Sequence, residues 1–172
     1  MMRQVRILSI VSLGAEDPDF REVVSPMEAR RMGRLLKRAV WTSAKALEKA
    51  GIDMPDAIIA ATDYGCMENT ESFIAGVLEI GDAAMRPTHF MQSTHNTIGS
   101  LVAIRLGCHG YNATYAHTGR SFLSALEDAI MQIGLGDIDT ALVGWWDERT
   151  PNMEASGLPG GERAVAVVIS AI

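Results

Sequence analysis

Apolar positions along the chain alternate between two periods, and that alternation predicts most of the elements. Residues 4–11 are rich in β-branched side chains and end shortly before Gly14, which predicts a strand. Ser25, Pro26 and Glu28 then give an N-cap, a first-position proline and an acid three residues after the cap, the signature of a helix start. The helix is predicted to run to about residue 50: Met32, Leu36, Ala39, Ser43, Leu47 and Ala50 advance by three and four residues, with Arg30, Arg34, Lys37, Trp41 and Lys45 opposite. Gly51 closes it. Residues 56–62 form an apolar run that reads as a buried strand, and Asp63-Tyr64-Gly65 turns out of it. Residues 68–80 predict a second helix, Pro87 a break, and a third helix begins near Ser93 or Thr94 and continues to Gly107. A strand follows over 111–116. Phe122, Leu126, Ala129, Ile130 and Ile133 lie at helical spacing within a fourth helix over 119–133, ended by Gly134 and Gly136. The last two apolar runs, 140–144 and 163–172, bracket a loop with Pro151, Pro159, Gly160 and Gly161 and read as neighbouring strands.

The order β-α-β-α-α-β-α-β-β places the chain in the α/β class, with a central mixed, largely parallel sheet packed by helices. No internal repeat, low-complexity tract or linker divides residues 1–172, and the length and the 48% hydrophobic content suit a single domain with one core. Fifteen Lys and Arg against 21 Asp and Glu leave a formal charge of −6, which gives no global attraction to nucleic acid or anionic membrane. No apolar run reaches the roughly 18–20 residues of a membrane span. Two cysteines, ten methionines and no recognisable signal peptide read as a reduced, cytoplasmic protein. Neither GxxxxGK, GxGxxG nor CxxC occurs, and the spacing of Cys66, His89, Cys108 and His109 fits no metal-ligand pattern, so no cofactor or metal is predicted.

Three stretches together resemble the N-terminal half of a β-ketoacyl-ACP synthase, a condensing enzyme of the thiolase fold. Glu28-Ala29-Arg30-Arg31-Met32 through Ala46-Leu47-Glu48-Lys49-Ala50-Gly51-Ile52 is similar to the family's arginine-rich helix. Pro87-Thr88-His89-Phe90 with Asn96-Thr97-Ile98-Gly99-Ser100-Leu101-Val102-Ala103 resembles a second segment. The most specific match is Thr114-Tyr115-Ala116-His117-Thr118-Gly119, a helix, and Gly136-Asp137-Ile138-Asp139-Thr140-Ala141-Leu142-Val143-Gly144, which resembles the family's strand, nucleophile elbow, buried helix and following strand. The fold implied is a single thiolase-like half. Ser93-Thr94-His95-Asn96-Thr97 is further similar to short ketosynthase-like proteins of aryl polyene and flexirubin-type pathways.

At the elbow the family places a cysteine whose thiolate, stabilised at a helix N-terminus, accepts an acyl group; here the matching residue is His117. The family's second half supplies a pair of histidines, or histidine and asparagine, and the match covers the first half alone. The resemblance therefore implies a non-condensing accessory subunit, like a chain length factor, that binds acyl carrier protein or a partner synthase. His117, Asn96, Gly119, Arg120 and Ser121 would line the remnant of the acyl site. Arg30, Arg34 and Lys37, from a run with five cations and no acid between residues 30 and 38, would face an acidic carrier protein or simply form a solvated face. Arg120, at a helix start that disfavours a cation, calls for an anionic partner: a substrate phosphate, or Glu68, Asp128 or Glu148. Two alternatives stay open, an acyltransferase or thioesterase acting through His117 and a purely structural dimeric module. A homodimer or a heterodimer with a ketosynthase is expected.

Overall fold

The computed structural model describes residues 2–80 and 87–172. Five strands form one sheet: β1 (Val5–Ser12), β2 (Ala57–Ala61), β3 (Tyr111–Tyr115), β4 (Thr140–Asp147) and β5 (Arg163–Ala171), in the order β1-β5-β4-β2-β3. β2 runs parallel to both β4 and β3, while β5 is antiparallel to β4 and β1. The sheet is mixed, as the sequence predicts, with parallel pairing confined to the β4-β2-β3 side. All five residues of β2 are buried, which is why its sequence, AIIAA, is apolar without alternation.

Helices cover both faces. On one, α2 (Arg34–Ala50) and α5 (Thr97–Leu106) lay Leu36, Ala39, Leu47, Ile98 and Val102 over Ile58, Ala60, Leu142 and Val168. On the other, α6 (Ser121–Leu135) sets Ala125, Ala129 and Ile133 against Ala57, Ile59, Val143 and Ile169. The remaining helices are α1 (Pro26–Ala29), α3 (Met67–Ile80), α4 (Pro87–Ser93) and α7 (Pro151–Ala155). The paired tryptophans separate between the faces. Trp146 is fully buried and donates from Nε1 to Thr42 Oγ1 at 3.0 Å. A Cβ on Gly144 would come within 1.8 Å of the Trp146 ring, so this strand position admits only glycine. Trp145 points to the opposite face and stacks on Phe122, with centroids 5.4 Å apart, under the Arg163 guanidinium.

The helices differ from the sequence reading in three places. The predicted helix from Ser25 to residue 50 is two helices. The capping box forms as expected, with Ser25 and Glu28 exchanging backbone and side-chain bonds, but it starts only the four residues of α1. Gly33 then serves as a new N-cap for α2. Likewise Pro87 opens α4 rather than ending structure, and residues 94–96 separate α4 from α5. The proline-bearing segment after β4, read as loop, contains α7, capped by Thr150 Oγ1 accepting from Met153 N.

Candidate functional site

The C-terminal ends of β2, β3 and β4 meet at the bend between β3 and α6, where residues 116–120 reverse the chain. His117 O accepts from Arg120 N at 2.7 Å, and Gly119 supplies the positive φ of 77° that the reversal requires. Asp63, in the turn after β2, pins the bend from beside it. Its Oδ1 accepts from Gly119 N at 3.1 Å and from Ser121 Oγ, and Ser121 Oγ accepts from His117 N at 2.9 Å.

Asp63 is held in turn by Asp147 at the end of β4. Asp147 Oδ1 accepts from Thr62 Oγ1 and Asp63 N, each at 2.7 Å, and from Tyr64 N at 3.3 Å, while Oδ2 accepts from Trp145 Nε1 at 2.9 Å. Burial pushes the Asp147 carboxyl above the usual carboxylate range, and the donors around it only partly offset that cost. Two carboxylates thus carry the position of β4 through the β2 turn to the bend.

The His117 ring is exposed, meets Tyr115 edge-on with centroids 5.9 Å apart, and places Nδ1 3.1 Å from Ser124 Oγ on α6. Gly119 and Ser121 sit at the bend with His117, where the sequence places them. Arg120 is the N-cap residue of α6, without a side-chain cap, and makes no ion pair among the described residues. Of its expected partners, Asp128 accepts from Tyr111 and Gln132, Glu148 accepts from Glu68 N at 2.6 Å, and Glu68 borders a cavity with Arg34 and Arg38. Asn96 holds the N-cap position of α5 without a side-chain cap bond and makes no hydrogen bond to the bend among the described residues, although its neighbour His95 packs on Gly65, two residues past Asp63. Asp63, Asp147 and Ser124 escaped the sequence reading. Only the parallel pairing of β2 with β3 and β4 brings the two aspartates together, and Ser124 carried no local pattern.

Neither thiol reaches the bend. Cys66 is buried at the start of α3, where burial, with Glu148 and Glu68 adding to it, pushes it up to about 12. Cys108 donates to Pro55 O at 3.3 Å, at the entry end of β2, about 16 Å of strand away from the bend at the usual rise per residue. His89 faces Asn69, and among the described residues no group of three or more His, Cys, Asp or Glu side chains is placed to hold a metal. No helix among them is long and apolar enough to cross a membrane.

The basic run divides. Arg38 is 1% exposed; it bonds Asp17 Oδ1 at 2.7 Å and Gly14 O at 2.5 Å, and its Nε has no partner among the described residues. Arg34 bonds Asp17 Oδ2 at 2.6 Å and also Glu162. Partial burial raises the Asp17 carboxyl, but these two guanidiniums more than offset it and hold the group below the usual range. Both arginines line a cavity of about 250 Å³ with Glu68, Glu71 and Glu148; burial first, then the neighbouring carboxylates, push Glu148 up to about 7. Lys37 lies 5.8 Å over the Phe20 ring. Arg30 and Arg31 are exposed and border a separate cleft of about 430 Å³.

Residues 12–157 match the family described as Beta-ketoacyl synthase, N-terminal domain. A search of the curated proteins found no match. Among solved structures, the type II PKS acyl-carrier protein in complex with its ketosynthase, AntDE:AntF, superposes with a TM-score of 0.87 at 12% identity, over 99% of this chain and 64% of that one. The ketosynthase ApeO with its chain length factor ApeC, from Xenorhabdus doucetiae, gives 0.76 at 16% identity, over 99% and 79%. A β-ketoacyl synthase from Burkholderia phymatum gives 0.79 at 18% identity, over 100% and 60%. At these identities the likeness concerns the fold, and the chain spans less than two thirds of the first and third of these structures.

Proposed function

The chain belongs to the β-ketoacyl synthase family, and from that premise we propose that it is a non-condensing accessory subunit in fatty acid or polyketide-type biosynthesis, of the chain-length-factor kind, acting beside a partner ketosynthase and an acyl carrier protein. The observation that carries this reading is the imidazole of His117 at the bend where the family resemblance calls for a nucleophilic thiol. A condensing enzyme of this family needs a thiolate there to receive the acyl chain. Cys66, buried and held as a thiol, and Cys108, at the far end of β2, are not placed to replace it. The bend itself is intact and pinned by Asp63, which suits a surface kept for shaping or docking an acyl chain rather than for forming a carbon–carbon bond.

Two structural neighbours support the choice of partners, since one is a ketosynthase with its chain length factor and another a ketosynthase with its acyl-carrier protein. The face toward the carrier is narrower than the sequence suggests. Arg34 is committed to Asp17 and Glu162, which leaves Arg30, the neighbouring Arg31 and, beside Phe20, Lys37 as the cations open to an acidic partner.

The test is co-expression with a type II ketosynthase and its carrier protein, followed by assay of each chain alone and together. The expected result is a stable heterodimer in which condensation of acyl and malonyl carrier thioesters needs the partner's cysteine and is absent from this chain alone. A condensation product from this chain by itself, or failure to associate with the synthase while remaining folded, would overturn the reading.

A further inference from the structure

Of the polar groups at the bend, one pair lies outside the bonds that close it. Asp63, Ser121 and the backbone of residues 117–120 already close the turn, yet the His117 ring reaches past them to Ser124, with Nδ1 3.1 Å from Oγ. We infer that His117 and Ser124 form a base and nucleophile pair that accepts acyl groups from thioesters onto Ser124 and releases them to water. Side chains on a helix lean toward its N-terminus, so Ser124 Oγ lies back over the first turn of α6. The N-cap residue Arg120 gives that turn no side-chain cap, so its N–H groups would be the donors for the negative charge that develops on a carbonyl oxygen. Ser124 is half-buried and His117 exposed, so a carbonyl can approach from solvent.

The chemistry balances with water as the only co-reactant. His117 Nδ1 takes the Ser124 hydroxyl proton as Oγ bonds to the thioester carbon; the C–S bond then breaks and the sulfur leaves as a thiol with that proton. His117 next takes a proton from water, the hydroxide attacks the acyl-serine ester, and the carboxylic acid departs as Ser124 regains its proton. No carboxylate bonds the other ring nitrogen among the described residues, so turnover is slow compared with a full triad. This activity goes beyond the accessory reading: it would clear stranded acyl groups from carriers held at a surface that does not elongate them.

The experiment treats the folded full chain with a fluorophosphonate probe and with acetyl- and octanoyl-N-acetylcysteamine, reading labelled peptides by mass spectrometry and thiol release by absorbance. Labelling at Ser124 is expected, abolished in Ser124→Ala and slowed at least tenfold in His117→Ala, with thioester hydrolysis falling in parallel. Because Ser124→Cys keeps a nucleophile, iodoacetamide alkylation of that variant should show a pH midpoint below the ordinary thiol value of about 8.5 that rises when His117→Ala is added. An unlabelled Ser124 in folded protein, a labelling rate indifferent to His117, or an unshifted alkylation midpoint would each overturn the inference. These probes need neither carrier nor partner, so their failure leaves the accessory role standing, and failure to form a heterodimer leaves the pair standing.

Discussion

Arg38 and His117 lie at the same end of the sheet, each within reach of an aspartate from a neighbouring segment, and the protein uses the two in opposite ways. Arg38 is driven inward, with Asp17 and Gly14 O taking two of its donors. His117 stands in solvent, while Asp63 holds Gly119 N and the Ser121 hydroxyl, which in turn accepts from His117 N. A buried ion must be paired, and losing its partner is costly; an exposed ring on a pinned backbone is free to be changed. Charge at the first position is architecture, and the imidazole at the second stands clear of it, as the proposed chemistry requires.

The widest gap between the two positions should appear in unfolding free energy. Arg38→Ala removes a side chain that is almost wholly buried, leaves a void at the start of α2 and leaves Asp17 with Arg34 alone, so denaturant unfolding is expected to show a loss of about 2–4 kcal/mol. His117→Ala, measured in the same way, should stay within about 0.5 kcal/mol of the parent. If the two substitutions cost the same, the contrast between an architectural and a chemical end of this sheet edge fails.

A second measurement sharpens the contrast at Glu148, which shares the Arg38 cavity. Its carboxyl, ordinarily at 4.5, is pushed up to about 7, chiefly by burial and then by Glu68, Glu71 and Glu162, although the Glu68 N–H opposes the rise. Between those two values the folded state holds a proton that the unfolded state has released. The stability from this group is therefore fully present below pH 4.5 and declines as pH rises toward 7. Two and a half pH units correspond to a change on the order of 3 kcal/mol. Glu148→Gln should flatten that slope in thermal unfolding followed from pH 4.5 to 8; an unchanged slope would assign it to another group.

How far the sequence reaches follows from the same division. Every strand was legible, because short apolar runs such as AIIAA and RAVAVVISA, β-branched and bounded by turn residues, favour strands over helices, and the adjacency of β4 and β5 followed from their order. The position of His117 at a bend was legible from Gly119 and the helix after it. Helix breaks were not: the apolar stripe continues in phase from Met32 to Ala50, and only the geometry of Gly33 shows that α1 and α2 are separate. Nor was the fate of the arginines, since Arg30, Arg34 and Arg38 share a helical face in the pattern while Asp17 and Glu162, which draw two of them inward, come from loops far away in the chain. Asp63 and Asp147 were invisible for the same reason, being 84 residues apart and joined only through the register of β2 on β4.

The smallest effect on folding is expected where the proposed effect on binding is clearest. Arg30 and Arg31 are exposed and follow the short helix α1, with no ion pair among the described residues, so the double substitution Arg30→Glu, Arg31→Glu should leave unfolding within about 0.5 kcal/mol of the parent. If this surface meets an acidic carrier protein, the same change replaces attraction with repulsion and should weaken binding roughly tenfold or more at low ionic strength. Near 1 M salt the Debye length shrinks to about 3 Å, and the difference between parent and variant should largely vanish. Titration of labelled carrier at two salt concentrations separates the outcomes. Loss of binding that persists in high salt would mean that the arginines make close, desolvated contacts, whereas no loss at low salt would return the carrier face to another part of the molecule and leave the run from Arg30 to Arg38 as an ion-pair anchor with a solvated end.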